Sequence, residues 1–161
     1  MNPVGMKNTT CAVAESFAGK RPLTLPTARE ILHCVPKNSP RHILIVDDEP
    51  LIRWSVAESL SDLGFDVEQA ADASSALRKV TTAAAPFDVV VLDLRLPDMN
   101  DLSLLGTLRQ LLPSAMLVLM TAFGNPDVIA AASAMGAWVL HKPFELDDLK
   151  DVVLRSEPES N

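Results

Sequence analysis

From His42 onward the chain alternates short, unbroken apolar runs with longer stretches whose apolar positions recur at helical spacing. The runs His42 to Val46, Phe87 to Leu92, Ala115 to Met120 and Ala137 to Leu140 predict four strands, and a fifth is expected over the more polar stretch Asp66 to Gln69. Between them the spacing predicts helices. The first opens at Pro50, carries Ile52, Val56, Leu60 and Leu63 on one stripe, and ends at Gly64, with proline at the start and glycine past the end. Asp72 is placed to cap a second helix bearing Ala76, Leu77 and Val80. Leu104, Leu105, Leu108, Leu111 and Leu112 mark a third, stopped by Pro113. A fourth runs from Asn125-Pro126 through Ile129 and Ala132 to Gly136, and Leu146, Leu149 and Val153 define a short fifth.

Strict alternation of strand and helix implies a parallel sheet covered on both faces. The expected fold is a doubly wound α/β sandwich with the flavodoxin-like strand order 2-1-3-4-5. Residues 1–40 break the pattern. They carry Pro3, Pro22, Pro26, Pro36 and Pro40 and no sustained periodicity, so a largely irregular extension is expected there. Within it, Thr27 to Glu30 has capping-box spacing, followed by Ile31, Leu32 and Val35, which predicts one short helix before Pro36. The organisation expected is an extension over 1–40, a domain over 41–156 and a polar tail over 157–161.

Of the 161 residues, 48% are hydrophobic and 22% are charged, a balance that suits one globular domain with some chain left over. The net charge of -7 is unevenly spread. Residues 1–41 hold six basic and two acidic side chains, net +4, while the remainder holds eight and nineteen, net -11. So acidic a body repels phosphate backbones, and no nucleic-acid partner is expected. Cys11 and Cys34 both fall in the extension without metal-ligand spacing, which reads as free thiols. With no signal-like start and no run long enough to cross a bilayer, no membrane partner is expected and the location is read as cytoplasmic.

The candidate chemistry sits at strand ends. Asp47 and Asp48 follow the first predicted strand, Asp93 closes the third, Thr121 follows the fourth, and Lys142 lies just past the fifth. The carboxyl ends of parallel strands share one edge, where open α/β folds bind ligands, so these residues are expected to converge. Three carboxylates and an ammonium suit a divalent cation and an anion bound together. Each has a bland alternative. Asp-Asp at a strand end often caps a helix, Thr121 alone reads as a turn residue, and Lys142 before proline reads as a surface charge. Their joint occurrence in order carries the functional reading. Other candidates are weaker: His141 should face away from the site as a packed or capping residue, His33 and His42 lack ligand company, and Trp54 lies off its helix's apolar stripe.

Taken as a set, Leu44 to Pro50, Val91 to Pro97, Met120 to Ala122 and Lys142 to Phe144 resemble the receiver domain of bacterial two-component response regulators, over His42 to about Arg155. Ile52 to Trp54 and Thr121 to Asn125 are most similar to receivers of nitrogen-regulatory enhancer activators. The resemblance implies that Asp93 accepts a phosphoryl group from a sensor histidine kinase or histidine phosphotransfer protein. It implies Mg²⁺ held by Asp48, Asp93 and the backbone carbonyl of Arg95, with Asp47 acting partly through water, and a phosphoryl group met by Thr121, Ala122 and Lys142. It also implies that Arg95 and Phe123 flank the site and shield the acyl phosphate from water.

The enzyme alternative is an aspartyl-phosphate phosphatase or phosphotransferase of haloacid dehalogenase type, but Arg95 stands where that class has a second aspartate, and a cap domain does not fit. A plain nucleotide-binding module lacks its Gly-rich turn. Two departures from receivers stand out. Val139 occupies the usual aromatic position three residues before the lysine, and the Gly136 to Lys142 stretch is one residue short, so either Trp138 replaces the ring from a shifted position or the aromatic half of the switch is absent. Asp101 replaces a usual glycine, either tolerating a left-handed backbone or capping the next helix. With about five residues after the last helix, the expectation is a receiver lacking an output domain, which signals to an unidentified protein target by binding it when phosphorylated, or passes phosphate along a relay.

Overall fold

The computed structural model describes residues 40–122 and 125–155. The short helix expected from Thr27, the rest of the extension before Pro40, Phe123 and the tail from Ser156 lie outside these residues. Five strands, β1 (His42–Val46), β2 (Asp66–Ala70), β3 (Val89–Asp93), β4 (Met116–Thr121) and β5 (Ala137–His141), alternate with α1 (Pro50–Ser61), α2 (Ala73–Thr82), α3 (Ser103–Leu111), α4 (Pro126–Ala134) and α5 (Leu146–Arg155). All pairings are parallel, in the order β2-β1-β3-β4-β5, the doubly wound topology that the alternation implies.

Strands β1, β3 and β4 are interior and almost wholly buried, because Ile, Val and Leu on both sides of the pleat have a helix layer to pack against. On one face Leu44, Val90, Leu92, Leu117 and Leu119 meet Ala73 and Ala76 of α2, Leu104, Leu105 and Leu108 of α3, and Ala132 of α4. On the other, Ile43, Ile45, Val91, Val118 and Met120 meet Val56, Ala57 and Leu60 of α1 and Leu149 and Val153 of α5. The connection out of β1 leads to β2 on one side, while β3 lies on the other. That reversal opens a crevice at the carboxyl ends of β1 and β3.

Local rules explain the helix ends. Pro50 opens α1 where its missing N–H is no loss, and Asp72 accepts the Ser75 amide at 2.6 Å to cap α2. Asn125 caps α4 through the Asp127 amide at 2.9 Å. Gly64 and Gly136, with φ of 87° and 73°, adopt the left-handed turns that end α1 and α4. Asp101 has no positive φ and accepts the Ser103 amide at 2.8 Å, so capping is the reason it serves there. Two stripe positions depart from expectation: Leu63 and Leu111 are exposed. Leu63 lies past the end of α1 in the Gly64 turn, and at the end of α3 the packing is taken by Leu112 instead.

Arg109 of α3 donates to the carbonyls of Met135 and Gly136 at 2.9 and 3.0 Å and to those of Pro113 and Ala115 at 3.2 and 2.9 Å. One guanidinium thus ties the carboxyl end of α4 to the turn before β4. Truncation leaves these carbonyls to water or unpaired. Arg109→Ala is expected to cost about 2 kcal/mol, read as a lower urea midpoint with an unchanged slope.

Candidate functional site

The crevice gathers Asp47 and Asp48 from the turn after β1, Asp93 from the end of β3, Thr121 from the end of β4 and Lys142 from just past β5. Asp47, Asp93 and Thr121 are buried polar residues among apolar neighbours, a placement that persists only where partners satisfy them. The Lys142 ammonium supplies one such partner, lying 2.9 Å from Asp47 Oδ2 and 2.7 Å from Asp93 Oδ2. The other oxygen of Asp47 accepts the Glu49 amide at 2.8 Å, and that of Asp93 accepts the Arg95 amide at 3.2 Å. Lys142 is held in reach by its own amide, which donates to the Thr121 carbonyl at 2.8 Å, a continuation of the β4–β5 ladder.

Asp48 differs from its neighbour. Its side chain is exposed, and among the described residues nothing hydrogen-bonds its carboxylate. A carboxylate oxygen from each of Asp47, Asp48 and Asp93 nevertheless lies within 4.8 Å of the other two. Such an all-oxygen set, lacking nitrogen or sulfur donors, fits a hard divalent cation such as Mg²⁺ that keeps part of its water. Like charges held this close repel one another unless a cation intervenes, and Lys142 neutralises only the inner pair.

Burial by itself would lower the Lys142 pKa. Hydrogen bonds to Asp93 and Asp47, reinforced by their charges, outweigh it and hold the ammonium above the ordinary lysine value. A raised pKa means stability that is complete below the unfolded value of about 10.4 and lost as pH rises through the folded one. Lys142→Met leaves Asp47 and Asp93 facing each other without a counter-charge. It is expected to destabilise the metal-free protein by about 3 kcal/mol near neutral pH. Urea midpoints taken from pH 7 to 11 check this: the gap between wild type and variant should hold constant up to about pH 10 and begin to narrow above it.

Two residues without an expected role enter the site. Arg53 of α1 donates to the Asp47 carbonyl at 2.6 Å and so braces the turn that carries both acids. The only sequence signal was its place in the Ile52 to Trp54 stretch. Asp98, in the loop after Asp93, reaches the start of α2, a contact that no local spacing announces. Ala122, Glu49, Leu51, Ile52, Val56 and Phe144 border an apolar groove of about 550 Å³ that ends at Lys142.

The aromatic position resolves through register. Val139 pairs with Leu119 and packs in the core on the Thr121 face, whereas Trp138 pairs with Val118, on the opposite face, and is half exposed. Trp138 therefore does not stand in for a ring beside Thr121 in this structure. His141, expected as a packed or capping residue turned away from the site, is exposed rather than packed; it pairs with Thr121 and lies on the face opposite to Leu140, Met120 and Asp93. His42 stacks on Phe87 with ring centroids 3.9 Å apart and meets Glu68 at 3.2 Å, a packing role far from the acids. Trp54 is exposed, in line with its position off the stripe.

A three-layer sandwich with acids at its topological switch point places them where such folds bind ligands, and comparison with known proteins narrows the class. Residues 43–154 match the model of the response regulator receiver domain, and the chain belongs to that family. It is 33% identical over 117 residues to sporulation initiation phosphotransferase F of Bacillus subtilis, covering 72% of this chain and 93% of that protein. It is 33% identical over 113 residues to the DNA-binding transcriptional regulator NtrC of Klebsiella pneumoniae, covering 70% of this chain and 24% of that one. The solved chemotaxis response regulator CheY4 of Vibrio cholerae superposes with a TM-score of 0.66 at 31% identity, over 73% of this chain and 98% of that structure. The chain spans about half or less of the transcriptional regulators it matches. The haloacid dehalogenase alternative finds no support in these relationships. Among the described residues no helix is long and apolar enough to cross a membrane.

Proposed function

We propose that the chain takes a phosphoryl group onto Asp93 from a phosphohistidine of a sensor histidine kinase or phosphotransfer protein, and signals by binding a protein target in that state or by relaying the group. The observation that carries this reading is the bridge of Lys142 between Asp47 and Asp93, which sets a nucleophilic carboxylate beside a fixed positive charge at a strand end. In the transfer, the N–P bond of the donor imidazole breaks as an Asp93 Oδ–P bond forms, and the imidazole leaves with the electron pair and then takes a proton. Asp48, Asp93 and the Arg95 carbonyl would hold Mg²⁺, with Asp47 acting partly through a metal-bound water. When bound there, such a cation would offset the charge of the carboxylates and of the incoming phosphoryl oxygens.

Asp47 is fully buried, which suits an indirect part, while exposed Asp48 suits a direct one. Lys142, already charged, can follow a phosphoryl oxygen as it replaces the carboxylate contact. The Thr121 hydroxyl can donate to another, and the small side chain of Ala122 leaves room for the group. Exposed Arg95, together with Phe123, would slow hydrolysis by obstructing water in line with the acyl phosphate. The apolar groove beside Lys142 suits the apolar face of a partner helix that presents the histidine. The relative named as a phosphotransferase favours relay as one route, and kinases and relay partners of this kind would meet the chain in the cytoplasm.

Incubation with acetyl phosphate and Mg²⁺, followed by intact mass, tests the reading. One phosphoryl group per chain and no sustained release of phosphate from phosphoesters is the expected result. Many turnovers on a phosphoester would favour a phosphatase.

A further inference from the structure

The loop after Asp93 is exposed at Arg95, Pro97, Asp98 and Asn100, and its internal tie is a reciprocal pair of bonds between Leu96 and Met99 at 2.9 and 3.3 Å. At its near end the Leu94 amide donates to the Met120 carbonyl at 3.0 Å. Its middle is held by Asp98. One Asp98 oxygen accepts the Ala73 amide at 2.8 Å, and the other accepts the Ser74 amide at 2.9 Å and the Ser74 hydroxyl at 2.8 Å. The first amides of a helix have no intrahelical acceptor. In α2, Asp72 satisfies the third and Asp98, from a different element, satisfies the first two. The Ala73 and Ser74 bonds hold the Asp98 carboxyl below the usual range, so it stays charged at neutral pH and suits the positive helix end.

The same helix start is tied on its other side to the acids. β2 ends at Ala70, whose carbonyl accepts the Asp47 amide at 3.2 Å, and two residues later comes the Asp72 cap. A closed circuit therefore runs from the Asp47–Asp48 turn through Ala70 and the start of α2 to Asp98, and back along the loop to Arg95 and Asp93. We infer that Asp98 is a positioning residue for the metal, fixing the distance between the acidic turn after β1 and the Arg95 carbonyl by clamping the loop to α2. The inference rests on the proposed metal role of the Arg95 carbonyl. Without the clamp the loop loses its three bonds to α2, and the carbonyl samples positions off the metal. Direct hydrogen-bond partners of metal ligands are worth about 10- to 100-fold in affinity, and Asp98, acting one step further out through the loop, is expected at the low end of that range.

Titration calorimetry with Mg²⁺ alone on the full chain tests it, with thermal midpoints measured in parallel for wild type, Asp98→Ala, Asp98→Asn and Asp72→Ala. Asp98→Ala and Asp72→Ala both remove an acceptor from the start of α2, so both lower the midpoint. Only Asp98→Ala is expected to weaken Mg²⁺ binding, by about tenfold. Asp98→Asn keeps one acceptor oxygen and should fall between wild type and alanine; it serves alone if the alanine variant does not fold. Unchanged Mg²⁺ affinity in the Asp98 variants, or equal weakening in Asp72→Ala, overturns the inference. Failure of the underlying metal reading looks different: wild type itself would not bind Mg²⁺, or would bind it no better than Asp48→Asn.

Discussion

Asp93→Asn is expected to eliminate labelling by acetyl phosphate while leaving the fold intact. An amide oxygen is a far weaker nucleophile than a carboxylate and offers no anionic ligand to a cation. A rate at least about a thousandfold lower, equivalent to about 4 kcal/mol of barrier, is the expected scale. The substitution is nearly isosteric. The introduced amide can still accept from the Arg95 amide, and Lys142 retains Asp47 at 2.9 Å, so the thermal midpoint should move by only a few degrees. Labelling of the Asp93→Asn protein would move the acceptor to another side chain.

The second large effect reverses the usual sign of a site mutation. Asp48 is exposed and crowds Asp47 and Asp93, with carboxylate oxygens within 4.8 Å. Neutralising it as Asp48→Asn relieves repulsion, by about 1 kcal/mol after allowance for solvent screening. Without Mg²⁺ the variant should therefore melt about 3 °C above wild type. On adding Mg²⁺ the order inverts, because wild type gains stability as its site fills and the variant, binding about 100-fold more weakly, gains almost none. Melting curves across a Mg²⁺ series decide this. A variant less stable without metal, or stabilised at the same Mg²⁺ concentration as wild type, would contradict the role given to Asp48.

The strand positions were legible because β1, β3 and β4 are buried on both faces and so read as continuous apolar runs, and because alternation with helices leaves few topologies open. The site was legible for a related reason. Polar residues just past such runs can only lie along one sheet edge, and Asp47, Asp93, Thr121 and Lys142 do. Side-chain reach was not legible. Arg53 to the Asp47 carbonyl and Asp98 to α2 join residues whose proximity depends on loop path, not on periodicity. Strand register was equally hidden. His141 faces with Thr121 and Trp138 faces away only because Leu119 pairs with Val139, and a shift of one residue would exchange them. Leu63 departs from its stripe because helical spacing extrapolates past the point where the backbone leaves α1, whereas Leu111 is the last residue of α3 and yields the packing to Leu112.

The central claim is that Asp93 is the phosphoacceptor, and locating the group chemically tests it most directly. Wild-type protein labelled with acetyl phosphate and Mg²⁺ is treated with borohydride, which reduces an aspartyl phosphate to homoserine, and its peptides are sequenced by mass spectrometry. Homoserine at position 93, with Asp47 and Asp48 unmodified, is the predicted result. Homoserine at position 47 or 48, or no homoserine in protein that has gained the mass of a phosphoryl group, would contradict it.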